Sequence, residues 1–97
     1  MKSYRKTEVM LLNGEDLDVQ EHMSSQRISS LKNFIQDKKY IFIDEAQKIP
    51  NIGINLKLIV DTFPDVNILV SGSSSFNLKN QIGEPLTGRS IFIIYFL

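Results

Sequence analysis

Apolar residues along the chain fall into short runs that are separated by longer, mixed segments. The runs are rich in the β-branched and aromatic residues that favour strands, and polar or turn-forming residues follow them. The predicted strands are Thr7–Leu12, Tyr40–Ile43, Asn67–Ser71 and Ile91–Leu97. Their continuous apolar character is typical of strands that are buried on both faces of a parallel sheet.

The segment before the second strand has the periodicity of a helix. Ile28, Leu31 and Ile35 lie at positions i, i+3 and i+7, and therefore share one helix face. Ser24 or Ser25 would cap the amino end of this helix. A first helix is therefore predicted between the first two strands.

The other mixed segments predict two further helices and a loop. One helix runs from about Ile52 to Phe63, where Pro64 ends it. Its predicted core positions are Leu56, Ile59, Val60 and Phe63. A short helix over about Phe76 to Ile82 leads into a turn at Gly83–Gly88. The acidic segment from about Glu15 to Met23 is predicted to be a surface connection.

Strands and helices therefore alternate along the whole chain. Crossovers of about 10 to 20 residues between apolar strands are typical of parallel sheets with helices on their faces. The predicted fold class is α/β, with a three-layer parallel sheet in a single domain over residues 1–97.

Composition excludes several classes of function. The 97 residues include 11 basic and 11 acidic side chains, so the formal net charge is zero and no basic surface for nucleic acid is indicated. The sequence has no cysteine, which favours a cytoplasmic location. No apolar run approaches the roughly 20 residues that span a membrane. A soluble protein without membrane contact is expected.

Two adjacent carboxylates, Asp44 and Glu45, follow the apolar run Tyr40–Ile43. In parallel α/β sheets, ligands bind at the carboxyl ends of the strands. The cluster Gly72–Ser75 follows the next strand and is expected at the same edge. The simpler interpretation is a strand that ends in surface charges, followed later by an ordinary serine loop.

Three segments of the chain, taken together, resemble a known family. Tyr40–Pro50 looks like the Walker B segment of prokaryotic AAA-superfamily P-loop ATPases. Ile68–Ser75 is similar to their sensor-1 strand, and Leu86–Arg89 resembles the segment that carries an arginine before the last strand. The order and spacing of the three segments also match, over about residues 40 to 95.

The resemblance implies a role for each matching residue. Asp44 would hold Mg²⁺ through water, and Glu45 would orient the water that attacks ATP. Ser73 or Ser74 would sense the terminal phosphate, and Arg89 would act as an arginine finger or as a sensor within its own subunit. Gln47 would either hydrogen-bond near the site or be a surface amide. The implied cofactors are Mg²⁺ and ATP.

The family's glycine-rich phosphate loop, G-x-x-x-x-G-K-[ST], does not occur in the sequence. Gly83–Ser90 has the right spacing with Arg89 in place of lysine, but a helix is predicted before it and a strand after it, the reverse of a phosphate loop. Glu84 and Pro85 would also disfavour an anion cradle. The chain is therefore expected to be a partial, truncated AAA-type core without the first strand and phosphate loop, inactive alone and with ATP and Mg²⁺ bound weakly or not at all.

Loss of the family's first strand has a consequence for assembly. In the family, that strand lies between those matched here by Asn67–Ser71 and Ile91–Leu97. An exposed apolar edge invites pairing with another chain, so a homo-oligomer formed by edge-strand pairing or by strand exchange is expected. The last strand is expected either to close against Asn67–Ser71 or to exchange into a second copy, which gives a homodimer. Two alternative functions are a non-catalytic self-association or partner-binding module and a small Mg²⁺-dependent phosphoryl-handling domain.

Overall fold

A computed structural model describes residues 8–73 and 91–96 of the chain, without the side chains of residues 95 and 96. Within these residues, helices lie between the first three parallel strands. The elements are β1 (Val9–Asn13), α1 (Leu17–Met23), α2 (Ile28–Ile35), β2 (Tyr40–Asp44), α3 (Ile52–Thr62), β3 (Asn67–Ser73) and β4 (Ile91–Phe96). A short 3-10 helix, Ala46–Lys48, follows β2. The helix and turn predicted over residues 76–88 lie outside the described residues.

The four strands form one parallel sheet in the order β1-β2-β3-β4. The predicted α/β class and parallel sheet are confirmed. The last strand pairs directly with β3, from Ile68 beside Ile91 to Ser73 beside Phe96. Within the single chain, this strand closes against Asn67–Ser71, whereas its exchange into a second copy stays a prediction.

The helices of the described residues cover one face of the sheet. Alternate strand residues on this face pack with the helices in one apolar core. The strand residues of this core are Leu12, Ile41, Ile43, Ile68, Val70 and Ile91. Strand order follows chain order, so right-handed crossovers place successive helices on the same face. The described residues thus form two layers, and the second helical layer of the predicted three-layer fold is not found among them.

The other face of the sheet is open in the described part of the chain. Leu11, Phe92 and Ile94 are 75%, 60% and 50% exposed, although all three are apolar. Phe42 and Leu69 lie between them on β2 and β3 and are half-buried. This surface is called the open face below.

The segment Glu15–Met23 was predicted to be a surface connection, and this prediction is wrong. Asp16 caps helix α1 by accepting a hydrogen bond from the backbone N–H of Asp18 at 2.8 Å. The helix buries Val19 and Met23, which lie four residues apart on one face. Two buried positions in an acidic segment are too few to dominate its pattern.

The predicted amino end of α2 is also wrong, because neither Ser24 nor Ser25 caps it. The cap position is Arg27, whose side chain makes no capping hydrogen bond. The preceding Gln26 has a left-handed backbone, and its N–H donates to the side chain of Asn55 at 2.7 Å. The Ser25 hydroxyl also accepts the backbone N–H of Arg27 at 3.3 Å, so a contact from α3 and a local hydrogen bond together fix this end of α2.

Helix α3 fits its prediction to within one residue. Leu56, Ile59 and Val60 are buried, and Phe63 is partly buried beside the same core. None of the described helices has the length and apolar character of a membrane-spanning segment.

Candidate functional site

The carboxyl ends of β1, β2 and β3 bring polar groups together at one edge of the sheet. Asp44 is the last residue of β2, and in the strand register it lies beside Asn13 at the end of β1. On its other side, β3 continues past β2 and places Ser71 and Ser73 at the same edge. The parallel register thus produces the cluster that the sequence predicts.

Asp44 is held by two donors that both bind the same carboxylate oxygen. The Ser71 hydroxyl donates to Oδ1 at 2.6 Å, and the backbone N–H of Glu45 donates to it at 3.0 Å. Ser71 is buried, whereas Asp44 is exposed. These bonds restrict the Asp44 rotamer, and neither of them uses Oδ2.

Glu45 has a strained backbone and an anchored side chain. Its φ of 54° and ψ of 45° place a non-glycine residue in the left-handed region, an uncommon conformation that is concentrated at functional sites. The Gln47 amide donates to Glu45 Oε1 at 2.6 Å. The Gln47 oxygen in turn accepts the backbone N–H of Ser73 at 3.3 Å. Gln47 therefore links the second carboxylate to the end of β3.

The turn after β1 packs against the backbone of the two acids. The Gly14 N–H donates to the Asp44 carbonyl at 2.7 Å, and the Gly14 carbonyl accepts the side-chain amide of Gln20 at 2.8 Å. A Cβ at position 14 would lie 2.0 Å from the Glu45 carbonyl oxygen. Only glycine permits this approach, so helix α1 and the β1 turn together support the acid pair.

The structure brings together three of the predicted site residues: Asp44, Glu45 and Ser73. Ser74 and Arg89 lie outside the described residues. Of the two alternatives for Gln47, the structure shows hydrogen bonding near the site. Ser71 contributes a contact that the sequence does not predict, because it is placed there only as part of a strand. A polar residue within an apolar strand was the available signal for Ser71.

The donor set suits Mg²⁺ only when other ligands complete the coordination. Among the described residues, no group of three or more histidine, cysteine or carboxylate side chains is arranged to hold a metal ion. Mg²⁺ in nucleotide sites is usually bound by one or two carboxylates, with waters and phosphate oxygens as the other ligands. Asp44 fits that limited role, with Glu45 next to it.

A family model described as an AAA domain matches residues 1–96, almost the whole chain. The chain belongs to the AAA domain family. It is an AAA-type, P-loop ATPase-like domain, and such domains in general use a nucleotide and Mg²⁺. Searches of curated proteins and of solved structures found no match. The function of this AAA domain is therefore inferred from the family match and from the contacts of Asp44 and Glu45.

Proposed function

We propose that this AAA domain supplies the residues of an ATP site that bind Mg²⁺ and the attacking water. Asp44 binds Mg²⁺ through a water molecule, and Glu45 orients the water that attacks the terminal phosphate. These are the roles of a Walker B pair at the end of a buried strand. The family match supports the binding of a nucleotide. The different contacts of Asp44 with Ser71 and of Glu45 with Gln47 support different roles for the two acids.

The observation that carries this proposal is the fixation of Asp44 through one oxygen. Ser71 Oγ and Glu45 N both bind Oδ1, so neither of these donors occupies Oδ2. A carboxylate that is positioned before its ligand arrives loses less conformational entropy on binding. A surface carboxylate at a strand end would not need a buried hydroxyl to set its rotamer.

Further residues complete the proposed site. Gln47 keeps Glu45 close to the backbone of Ser73, the sensor candidate at the end of β3. Ser74 is the alternative sensor, and Arg89 is the candidate for stabilising charge on the transferred phosphoryl group. The assignments of Ser74 and Arg89 depend on the sequence resemblance alone.

The 97 residues alone are expected to bind nucleotide weakly and not to hydrolyse it. In P-loop ATPases, the backbone amides and lysine of the glycine-rich loop hold the β- and γ-phosphates. No segment of the sequence has that motif in a strand-to-helix context. In this proposal the chain supplies the acidic residues of the ATP site, and a phosphate loop would have to come from outside these residues.

Titration calorimetry with ATP and Mg²⁺ tests the proposal. The 97-residue chain should bind Mg²⁺-ATP weakly, and Asp44→Ala should bind it at least about tenfold more weakly, because the water-mediated interaction of the carboxylate with Mg²⁺ is lost. Glu21→Ala, which removes an exposed carboxylate from α1, serves as the matched control and should bind as the unchanged chain does. A phosphate-release assay should detect no turnover by the chain alone.

Two outcomes would contradict the proposal. Equal affinity in the chain and in Asp44→Ala would remove Asp44 from the site. Absence of binding by both would remove the nucleotide function from these residues and favour the non-catalytic interaction module instead.

A further inference from the structure

The two edges of the sheet differ in chemical character. β1 is preceded by Glu8, which forms an ion pair with Lys39 at 3.6 Å, and it ends in the polar Asn13. β4 has the sequence IFIIYF, with no charge, no proline and no polar aliphatic residue. Edge strands of natural proteins usually carry charges, prolines or bulges that prevent pairing with other chains. β4 carries none of these features.

The backbone of β4 has one hydrogen-bonded neighbour strand among the described residues. Its pairing with β3 uses one side of the strand, and β4 is the last strand in the sheet order. The N–H and C=O groups on the other side form an open row in the described part of the chain. Isoleucine, phenylalanine and tyrosine favour strand pairing, so this row is a template for a further strand.

We propose that this edge pairs with the β4 edge of a second copy of the chain. The two β4 strands run antiparallel about a two-fold axis, and the pairing joins two four-stranded sheets into one continuous sheet. In a two-fold symmetric dimer, the same edge of each subunit pairs with its own copy. A second copy therefore brings the matching strand with it, whereas any other partner would have to supply a strand of its own. The formal net charge of zero means that no net charge repulsion opposes the association.

The exposed side chains of β4 fit this arrangement. Phe92 and Ile94 both project from the open face, whereas Ile91 and Ile93 pack toward the helices. An antiparallel pair centred on Ile93 places Phe92 directly opposite Ile94 of the partner subunit. Aromatic and β-branched side chains that face each other in this way stabilise antiparallel pairs. These two exposed apolar residues of β4 thereby become neighbours across the dimer.

Sedimentation equilibrium of the full 97-residue chain over a wide concentration range tests this proposal. The unchanged chain should form a reversible dimer, and Ile94→Lys should raise the dimer dissociation constant by at least about tenfold, because it places a charge in the apolar pair. Leu11→Lys is the matched control, since Leu11 is on the same open face but at the opposite edge. It should change the dissociation constant by no more than about twofold. Circular dichroism checks that both variants fold.

Hydrogen exchange of the unchanged chain supplies a second measurement that needs no variant. Amides of residues 91–96 should become more protected as the protein concentration rises, whereas those of residues 9–13 should not. This result supports the pairing even where Ile94→Lys does not fold.

Three results would overturn the proposal. The first is a monomer at every concentration. The second is equal weakening by the two lysine variants, which would indicate packing of open faces instead of edge pairing. The third is protection of the β4 amides that does not depend on concentration.

Discussion

The Ser71 hydroxyl donates a hydrogen bond of 2.6 Å to Oδ1 of Asp44, and so joins β3 to the end of β2. Ser71 is 7% exposed, which leaves its hydroxyl little access to water. Hydrogen bonds to a charged acceptor are stronger than those between neutral groups. The bond therefore sets the direction of the first carboxylate of the site before any ligand is present.

Ser71→Ala should lower both stability and ligand binding. Because Asp44 is exposed and can be rehydrated, we expect a loss of about 1 kcal/mol in the free energy of unfolding, measured by urea denaturation. Mg²⁺-ATP affinity should fall as well, since the Asp44 rotamer is released. Ser29→Ala, at an exposed position of α2, is the control and should leave both quantities almost unchanged. Equal effects of the two substitutions would show that the hydroxyl bond does not position Asp44.

Gln47→Ala should weaken ligand binding through the position of Glu45 while it leaves the stability of the domain almost unchanged. Gln47 is only half-buried, so its removal should change the free energy of unfolding by no more than about 0.5 kcal/mol. The Glu45 side chain and the Ser73 backbone would lose their common partner, and Mg²⁺-ATP binding should weaken by about threefold to tenfold. Calorimetry and urea denaturation of the same preparation measure the two effects. Unchanged affinity in a stable variant would show that Gln47 is only a surface amide.

Gly14→Ala should destabilise the domain and disturb the acid pair. The added Cβ would lie 2.0 Å from the Glu45 carbonyl oxygen and 2.8 Å from its carbonyl carbon. These are backbone atoms that cannot rotate away, so we expect a loss of about 2 kcal/mol or more in thermal or urea unfolding. Glu15→Ala, one residue further on and exposed, is the control. A stable Gly14→Ala variant would contradict the close packing of the β1 turn on β2.

The strands and α3 could be predicted from the sequence because each buries enough apolar residues to give a clear local pattern. Helix α1 could not be recognised in the same way, since only Val19 and Met23 are buried in it. The local signal that remained was Asp16 at the cap position. Burial of a short helix depends on what packs over it, and the sequence of that helix does not contain this information.

In the candidate site, too, some features could be predicted from the sequence and others depend on tertiary packing. Asp44, Glu45 and Ser73 could be placed together because the carboxyl ends of parallel strands share an edge. The contacts of Ser71 and Gln47 depend on register between strands and on the 3-10 helix after β2, both of which are set by tertiary packing. A residue type within a strand gives no indication of which neighbour it meets.

Asn55 gives a prediction about the interior of the helical layer. It is 0% exposed, its Oδ1 accepts the Gln26 N–H at 2.7 Å, and its Nδ2 donates to the Asn51 carbonyl at 2.8 Å. Asn55→Ala would leave the Gln26 N–H without this partner, whereas the Asn51 carbonyl would keep the backbone N–H of residue 55, 3.3 Å away. We therefore expect a loss of about 1 to 3 kcal/mol in the free energy of unfolding. Asn33→Ala, at an exposed position of α2, should cost no more than about 0.5 kcal/mol. Similar losses for both would contradict the role of Asn55 as the link between α3 and the start of α2.

The two faces of the sheet should respond differently to loss of apolar side chains. Ile43 is 0% exposed against the helices, so Ile43→Ala should lower the free energy of unfolding by about 2 to 5 kcal/mol in urea denaturation. Leu11 is on the open face, and Leu11→Thr keeps the strand propensity while it removes exposed apolar surface; it should change stability by no more than about 0.5 kcal/mol. A loss at Leu11 as large as that at Ile43 would mean that another layer covers the open face in solution. Repeating the measurement at several protein concentrations would then identify that layer, because cover by a second copy is lost on dilution, whereas cover by the same chain is not.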